Sequence, residues 1–445
     1  MTNWIRRKQS ALLVATLVAA AGLSAGLGVP AGVTTASAAS GSVTHLTLWE
    51  NYGTEANATV LQNLITAFEK IHPNIKIDMV SQPAANYFPL LQSAAISHTG
   101  PDLTVEWTGL FTLQYKSQLE NLKSWVPASD LNRMEGLRWT ANGFNLASGP
   151  YVIPLEDQFY IGYYNKALFA KMGITSPPKT WTELYADCAK FKAANITCQE
   201  FGNGTQNITA EFYPWYDMSY MMIGAVPLSK WQNLYNGSLS WTSKTVTAQL
   251  AHWATLSKDG YTNPDVLTSQ YVLESLAEGH AAMVVDGNWS LAWLQSNMGT
   301  NVGVYVPPYS SNGAIHGVVQ YPGDGISMTA YSQHKPQAAA FLKFMTTTQA
   351  ASIVAAGGLI PDVKGATTSD SVSNEMLAFA AKDGYTVFPM LDNVTQPNVV
   401  NAGSTILPDR RAGQLTVAKA ASEMEAAWKQ LPKTQRGGTW ASYKA

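Results

Sequence analysis

The stretch from His45 to Trp107 decides the fold: HLTLWENYG (45–53), then an amphipathic run from Ala58 to His72, then IKIDMV (75–80), a run from Tyr87 to Ser97, and DLTVEW (102–107). His45–Trp49 alternates apolar and polar residues as a strand does, whereas Leu61, Leu64, Ile65 and Phe68 recur at helical spacing until Pro73 ends the run. The other two short segments read as strands and Tyr87–Ser97 as a helix, so strand and helix alternate. That order predicts an α/β sheet covered on both faces, with ligands at the carboxyl ends of the strands. Glu50, Asn51, Glu106 and Trp107 then share one rim.

The middle of the chain repeats the pattern. Tyr151–Pro154 and Tyr160–Tyr164 read as strands, and a helix from Lys166 to Met172 stops at Gly173. Thr180-Trp181-Thr182-Glu183 has the form of a capping box. A helix over 267–278 leads through Gly279 to the strand 281–285 and the turn Asp286-Gly287-Asn288-Trp289. Gly325–Met328 reads as a strand, Gly323-Asp324-Gly325 as a plain turn, and 335–347 as a helix with Pro336 in its first turn.

At the amino terminus Arg6, Arg7 and Lys8 precede an uncharged stretch from Ala11 to Val29 and the small-residue run 34–39. This is the order of a secretory leader, with removal expected after Ala38. No other stretch is long and apolar enough to span a bilayer. Removing residues 1–38 takes away three basic residues and no acid, so the formal net charge of −2 becomes about −5 and nucleic acid is an unsuitable partner. Cys188 and Cys198 are the only cysteines; after export they would meet oxidising conditions, and both a local disulfide and two buried thiols fit their spacing. No cysteine follows the leader to take a lipid, and no histidine or cysteine spacing suggests a metal site or cofactor. After the leader neither a Gly-x-Ser-x-Gly nor a phosphate-cradling loop occurs; the one match, Gly22-Leu23-Ser24-Ala25-Gly26, lies within the leader stretch.

About 407 residues remain after the leader, too many for one core, so two domains are expected, although no flexible linker separates them. Charged residues make up 13% and aromatic residues 11% of the chain, which suits a neutral ligand with apolar faces and polar edges.

Several motifs, in order, resemble the extracellular solute-binding proteins of carbohydrate ABC importers. They are Gly100-Pro101-Asp102; Tyr164-Asn165-Lys166 with Leu168-Phe169, Gly173-Ile174, Pro178 and Thr180-Trp181-Glu183-Leu184; Gly279-His280-Ala281-Ala282-Met283 leading to Gly287-Asn288-Trp289; and Ala339–Met345. The resemblance implies a type II periplasmic-binding-protein fold, in which two α/β lobes joined by crossing hinge segments close around a ligand. It assigns 43–155 plus about 315–362 to the first lobe, and about 156–314 plus 363–445 to the second. It further implies a monomeric, non-enzymatic protein at the outer face of the membrane or in the periplasm, which binds a sugar or short oligosaccharide and meets the transmembrane subunits of an ABC permease.

A pyranose offers C–H faces to aromatic rings and hydroxyls to Asp, Glu, Asn and Gln. Carried over to this sequence, the family pattern assigns the polar edges to Glu50, Asn51, Glu106, Asp157 and Gln158, and the faces to Trp107, Trp215 and Trp289. Each has a structural alternative: Trp107 and Trp215 fit a core as well as a ligand, and Glu50, Glu106 and Asp157 could be solvated strand ends. Trp49 reads as core, Asp102 as closing a turn on its own backbone, and Arg410–Arg411 as a solvated basic pair. A secreted glycoside hydrolase is the competing class; it needs two facing carboxyls roughly 5 to 9.5 Å apart, which a sequence does not reveal.

Overall fold

The computed structural model describes residues 42–53, 56–83, 86–202, 213–227, 230 and 233–436; the expected leader, 1–38, lies outside them. Two sheets organise the chain. In the first, β1 (Thr44–Glu50) pairs in parallel with β2 (Ile75–Ser81) and with β3 (Leu103–Trp107). Helix α1 (Ala56–Ile71) makes the crossover between β1 and β2 because its apolar stripe, Val60, Leu61, Leu64, Ile65 and Phe68, is buried against the sheet's core. Helix α2 (Tyr87–Ser97) makes the next crossover, ending at His98 in the left-handed conformation. Asp102 joins the strands: its side chain accepts the N–H of Thr47 at 3.0 Å and the hydroxyl of Ser332 at 2.5 Å. Its role is thus structural, but it serves neighbouring segments rather than its own turn.

From β3 the chain runs through a short helix α3 (Leu110–Tyr115) and irregular turns to β4 (Ile153–Pro154), at the sheet's far edge. Then it leaves. Strand β5 (Asp157–Asn165) belongs to the second sheet, ordered β11-β9-β5-β7-β6, which also includes β6 (Thr197–Gln199), β7 (Ala281–Gly287), β9 (Gly317–Pro322) and β11 (Thr386–Phe388). Strand β8 (Val302–Tyr305) pairs with β5 as well. Strand β10 (Asp324–Met328) returns to the first sheet, antiparallel between β3 and β4.

Gly323-Asp324-Gly325 is therefore no turn but a strand crossing between sheets. The two sheets change hands at Gly323, so the return segment begins there and not near 315. Close approach explains the glycines: a Cβ on Gly325 would lie 2.4 Å from the carbonyl oxygen of Ile153. The predicted helix over 335–347 forms as Lys335–Met345, and a second helix, Thr348–Ala356, capped by the Thr347 hydroxyl, follows it.

Each sheet has its own apolar core. Cys188 in helix Trp181–Ala193 is disulfide-bonded to Cys198 in β6, with Cα atoms 5.0 Å apart. Arg411 is not solvated but fully buried: its guanidinium lies 3.8 Å from the Phe201 ring centroid and donates to the carbonyl of Trp253 at 2.5 Å. Among the described residues no helix is long and apolar enough to cross a membrane.

Candidate functional site

Strand β1 ends in Glu50 and Asn51, both buried. The Glu50 carboxylate accepts the N–H of Tyr52 at 2.6 Å, tightening the turn that follows the strand. Asn51 keeps a buried side-chain oxygen with no hydrogen-bond partner among the described residues. On the next strand Glu106 is 1% exposed, and its Oε2 also lacks a partner. Burial pushes the Glu106 carboxyl well above the usual carboxylate range. These acids are not solvated strand ends.

Trp107, half-buried, completes β3. Its ring stands edge-on to Phe88 (centroids 4.8 Å apart) and to Phe111 (5.2 Å), forming an aromatic wall. The following Thr108-Gly109 meets the second sheet's side of the molecule: Asn393 donates its side-chain amide to the Thr108 carbonyl at 3.0 Å, and the Thr108 hydroxyl donates to the Pro322 carbonyl. Gly109, at φ +77°, leaves no room for a side chain, since a Cβ would lie 2.3 Å from the Asn393 carbonyl oxygen.

Asp157 and Gln158 open β5. The side chain of Gln320 donates to Asp157, and burial pushes the Asp157 carboxyl up to about 7. Gln158 donates at 2.9 Å to Glu156, which also accepts from Asn57 of α1 at 2.5 Å. The Gln158 amide is thus turned toward a structural partner. Glu156, fully buried and pushed up to about 7 by burial, went unsingled in the sequence because one carboxylate in Leu155-Glu156-Asp157 looks like another.

At the end of β7, Asn288 ties this region together by donating to the Asp157 carbonyl at 3.1 Å and accepting the Phe159 N–H at 2.9 Å. Trp289 follows, half-buried and in contact distance of Tyr160 (6.1 Å between centroids) and Tyr216 (5.9 Å), with both rings near edge-on. Its indole N–H is buried and has no partner among the described residues. The turn carrying Trp289 packs against α1, the helix that follows Glu50 and Asn51. Tyr160 is held by both oxygens of Asp392, at 2.9 and 3.0 Å. Tyr160, Tyr216 and the Asp392-Asn393 pair carried no sequence signal, because they reach this region only through the folding of distant segments.

Seven of the eight sequence-predicted residues therefore cluster at strand ends: Glu50, Asn51, Glu106 and Trp107 on the first sheet, and Asp157, Gln158 and Trp289 on the second. Trp215 does not join them. It is 0% exposed, packed edge-on to Trp241 and against Gly403, with its N–H toward the Ser404 hydroxyl at 3.4 Å. No face of its ring is open, so it is core. Among the described residues no three His, Cys, Asp or Glu side chains are disposed to hold a metal ion.

Known proteins share this fold. The family model for bacterial extracellular solute-binding proteins matches residues 52–352. The multiple sugar-binding protein of Streptococcus mutans is 25% identical over 312 residues, 67% of this chain and 70% of that protein. The sn-glycerol-3-phosphate-binding periplasmic protein of Yersinia pseudotuberculosis is 29% identical over 170 residues, 36% of either chain. Among solved structures, a chitin oligosaccharide binding protein superimposes with a TM-score of 0.77 at 21% identity, covering 87% of this chain and 98% of the other. The GacH receptor of Streptomyces glaucescens does so at 0.71 and 19% identity, covering 90% and 99%. The fold is that of the type II periplasmic-binding proteins, and the match to the family model across most of the sequence makes this chain a member of the bacterial extracellular solute-binding protein family.

Proposed function

We propose that this protein captures an uncharged sugar or short oligosaccharide between two lobes and presents it, chemically unchanged, to the transmembrane subunits of an ABC importer. One lobe is built on the first sheet, residues 44–154 with the return from 324, and the other on the second sheet. The observation that carries the reading is the pairing of half-buried tryptophans with unpartnered polar atoms at strand ends. Trp107 and Trp289 supply rings, while the Asn51 oxygen, Glu106 Oε2 and the Trp289 N–H have no partner among the described residues. Buried polar groups are nearly always satisfied, so groups left open at the expected ligand position suit a molecule bearing hydroxyls.

The names of the relatives support a sugar: multiple sugars for the S. mutans protein, chitin oligosaccharide and acarbose for the two structural neighbours. Closure about the crossing segments would shield the ligand from both sides. The disulfide fits an oxidising compartment outside the cytoplasm.

A thermal-shift panel of malto-, xylo- and chito-oligosaccharides, galactose and sn-glycerol 3-phosphate tests this. A true ligand at one hundred times its Kd should stabilise the fold by about 2.7 kcal/mol. A response to glycerol 3-phosphate alone would overturn the sugar assignment, and new reducing ends during incubation would overturn capture without chemistry.

A further inference from the structure

Three segments pass between the sheets, and each brings a carboxyl to the same place. The first carries Glu156 and Asp157, the second Asp324, and the third Asp362. Backbone hydrogen bonds lace them: Gly323 N–H to the Glu156 carbonyl (2.9 Å), Leu155 N–H to that of Asp324 (2.8 Å), and Asp157 N–H to that of Ile360 (2.8 Å). Glu135, whose N–H donates to the Asp362 carbonyl at 3.0 Å, adds a fifth acid at the margin.

Nothing basic balances this group. Among the described residues none of the four crossing-segment carboxyls makes an ion pair. The groups facing them are neutral amides, Asn57 from α1, Gln158 from β5 and Gln320 from β9, together with the hydroxyl-bearing Tyr160 and Tyr163, which feel Asp324 and Glu156. Lys364 is exposed, and Arg133 turns to Asp130 at 3.5 Å. Glu156 Oε2 and Asp362 Oδ2 are buried without partners. Burial, then repulsion from neighbouring carboxyls, pushes Asp324 and Asp362 well above the usual carboxylate range and Asp157 up to about 7, and burial alone pushes Glu156 up to about 7.

We infer that the crossing segments form a proton-dependent hinge: protons on these carboxyls hold the lobes in the arrangement seen here, and their loss opens it. The inference rests on the two-lobe reading above. In the present arrangement bare carboxylates would sit buried near one another with no cation among the described residues to pair with them. Parting the lobes would hydrate the crossing segments and return the acids toward their ordinary affinity for protons. The arrangement seen here then binds more protons than one with the lobes parted, so it is favoured on the acid side and weakened as pH rises through about 7.

Small-angle scattering of the purified, ligand-free protein at pH 5.5 and 8.0, with circular dichroism to verify folding, tests this. The radius of gyration should rise with pH, with a midpoint near neutrality. Glu156→Gln and Asp362→Asn mimic the protonated acids and should keep the smaller radius at pH 8.0; Asp324→Asn serves if either fails to fold. A radius blind to pH in the parent protein, or a pH response unchanged in the folded variants, overturns the inference. Because no ligand is added, a wrong ligand class would leave this result untouched, while a sugar binder with a pH-blind radius would sink the hinge alone.

Discussion

Replacing Trp289 with alanine removes a half-buried ring beside Tyr160 and Tyr216 together with an unpartnered N–H. Ligand affinity measured by calorimetry should fall by at least about 1 kcal/mol, roughly fivefold or more, with little change in melting temperature. Trp215→Ala should do the reverse. It empties a fully buried site beside Trp241 and should cost about 3–5 kcal/mol in a denaturant titration, leaving the affinity of the remaining folded protein near that of the parent. In sequence these two tryptophans look alike, each following a short polar or proline-bearing turn. Exposure separates them, and exposure depends on helix Pro397–Arg411, whose Gly403 packs on the Trp215 ring from nearly two hundred residues away. The same limit applies to Arg411, where a buried guanidinium stacked on Phe201 was indistinguishable from a surface charge.

The elements themselves were the more legible level. Alternation at 45–49 and helical spacing at 61–68 report burial on one face only, and β1 and α1 formed where those periods occur. Gly325 was less legible, since a glycine between Asp324 and Ile326 reads as a turn until β4 and β3 are laid on either side of it. Gly325→Ala should force β4 away from β10 and destabilise the protein by about 1–3 kcal/mol, checked by chemical denaturation. The disulfide between helix Trp181–Ala193 and β6 closes a loop with a sequence separation of 10, for which loop entropy gives about 3 kcal/mol as an upper figure. The Cys188→Ser/Cys198→Ser double variant should melt several degrees lower with ligand affinity retained. Equal melting temperatures would mean that the unfolded chain gains nothing from release of the loop.

For the whole molecule, the raised carboxyls set the direction of pH dependence. Glu156, Asp157 and Glu200 are pushed up to about 7, and Asp217 and Asp392 to about 6, each chiefly by burial. Folded-state values above the unfolded ones mean that the folded protein holds more protons. Their contribution to stability is complete below about pH 4 and is lost as pH rises through 6 to 7. Glu425, held below its ordinary range chiefly by hydrogen bonds from Ser240, Lys429 and the Trp241 N–H, acts in the opposite sense, as does His252, lowered by burial. The melting temperature should therefore be higher at pH 5 than at pH 8 in scanning calorimetry; a higher value at pH 8 would show that folding does not raise the proton affinity of these acids. By itself the sequence determined the α/β class, the order of strands and helices, and the family motifs, because hydrophobic period and turn chemistry are local properties. Only the tertiary structure decided which sheet each strand joins, which tryptophans lie in the core, and that four acids meet at the crossings. Those outcomes depend on segments hundreds of residues apart excluding water from one another, and no local pattern records which segments will do so.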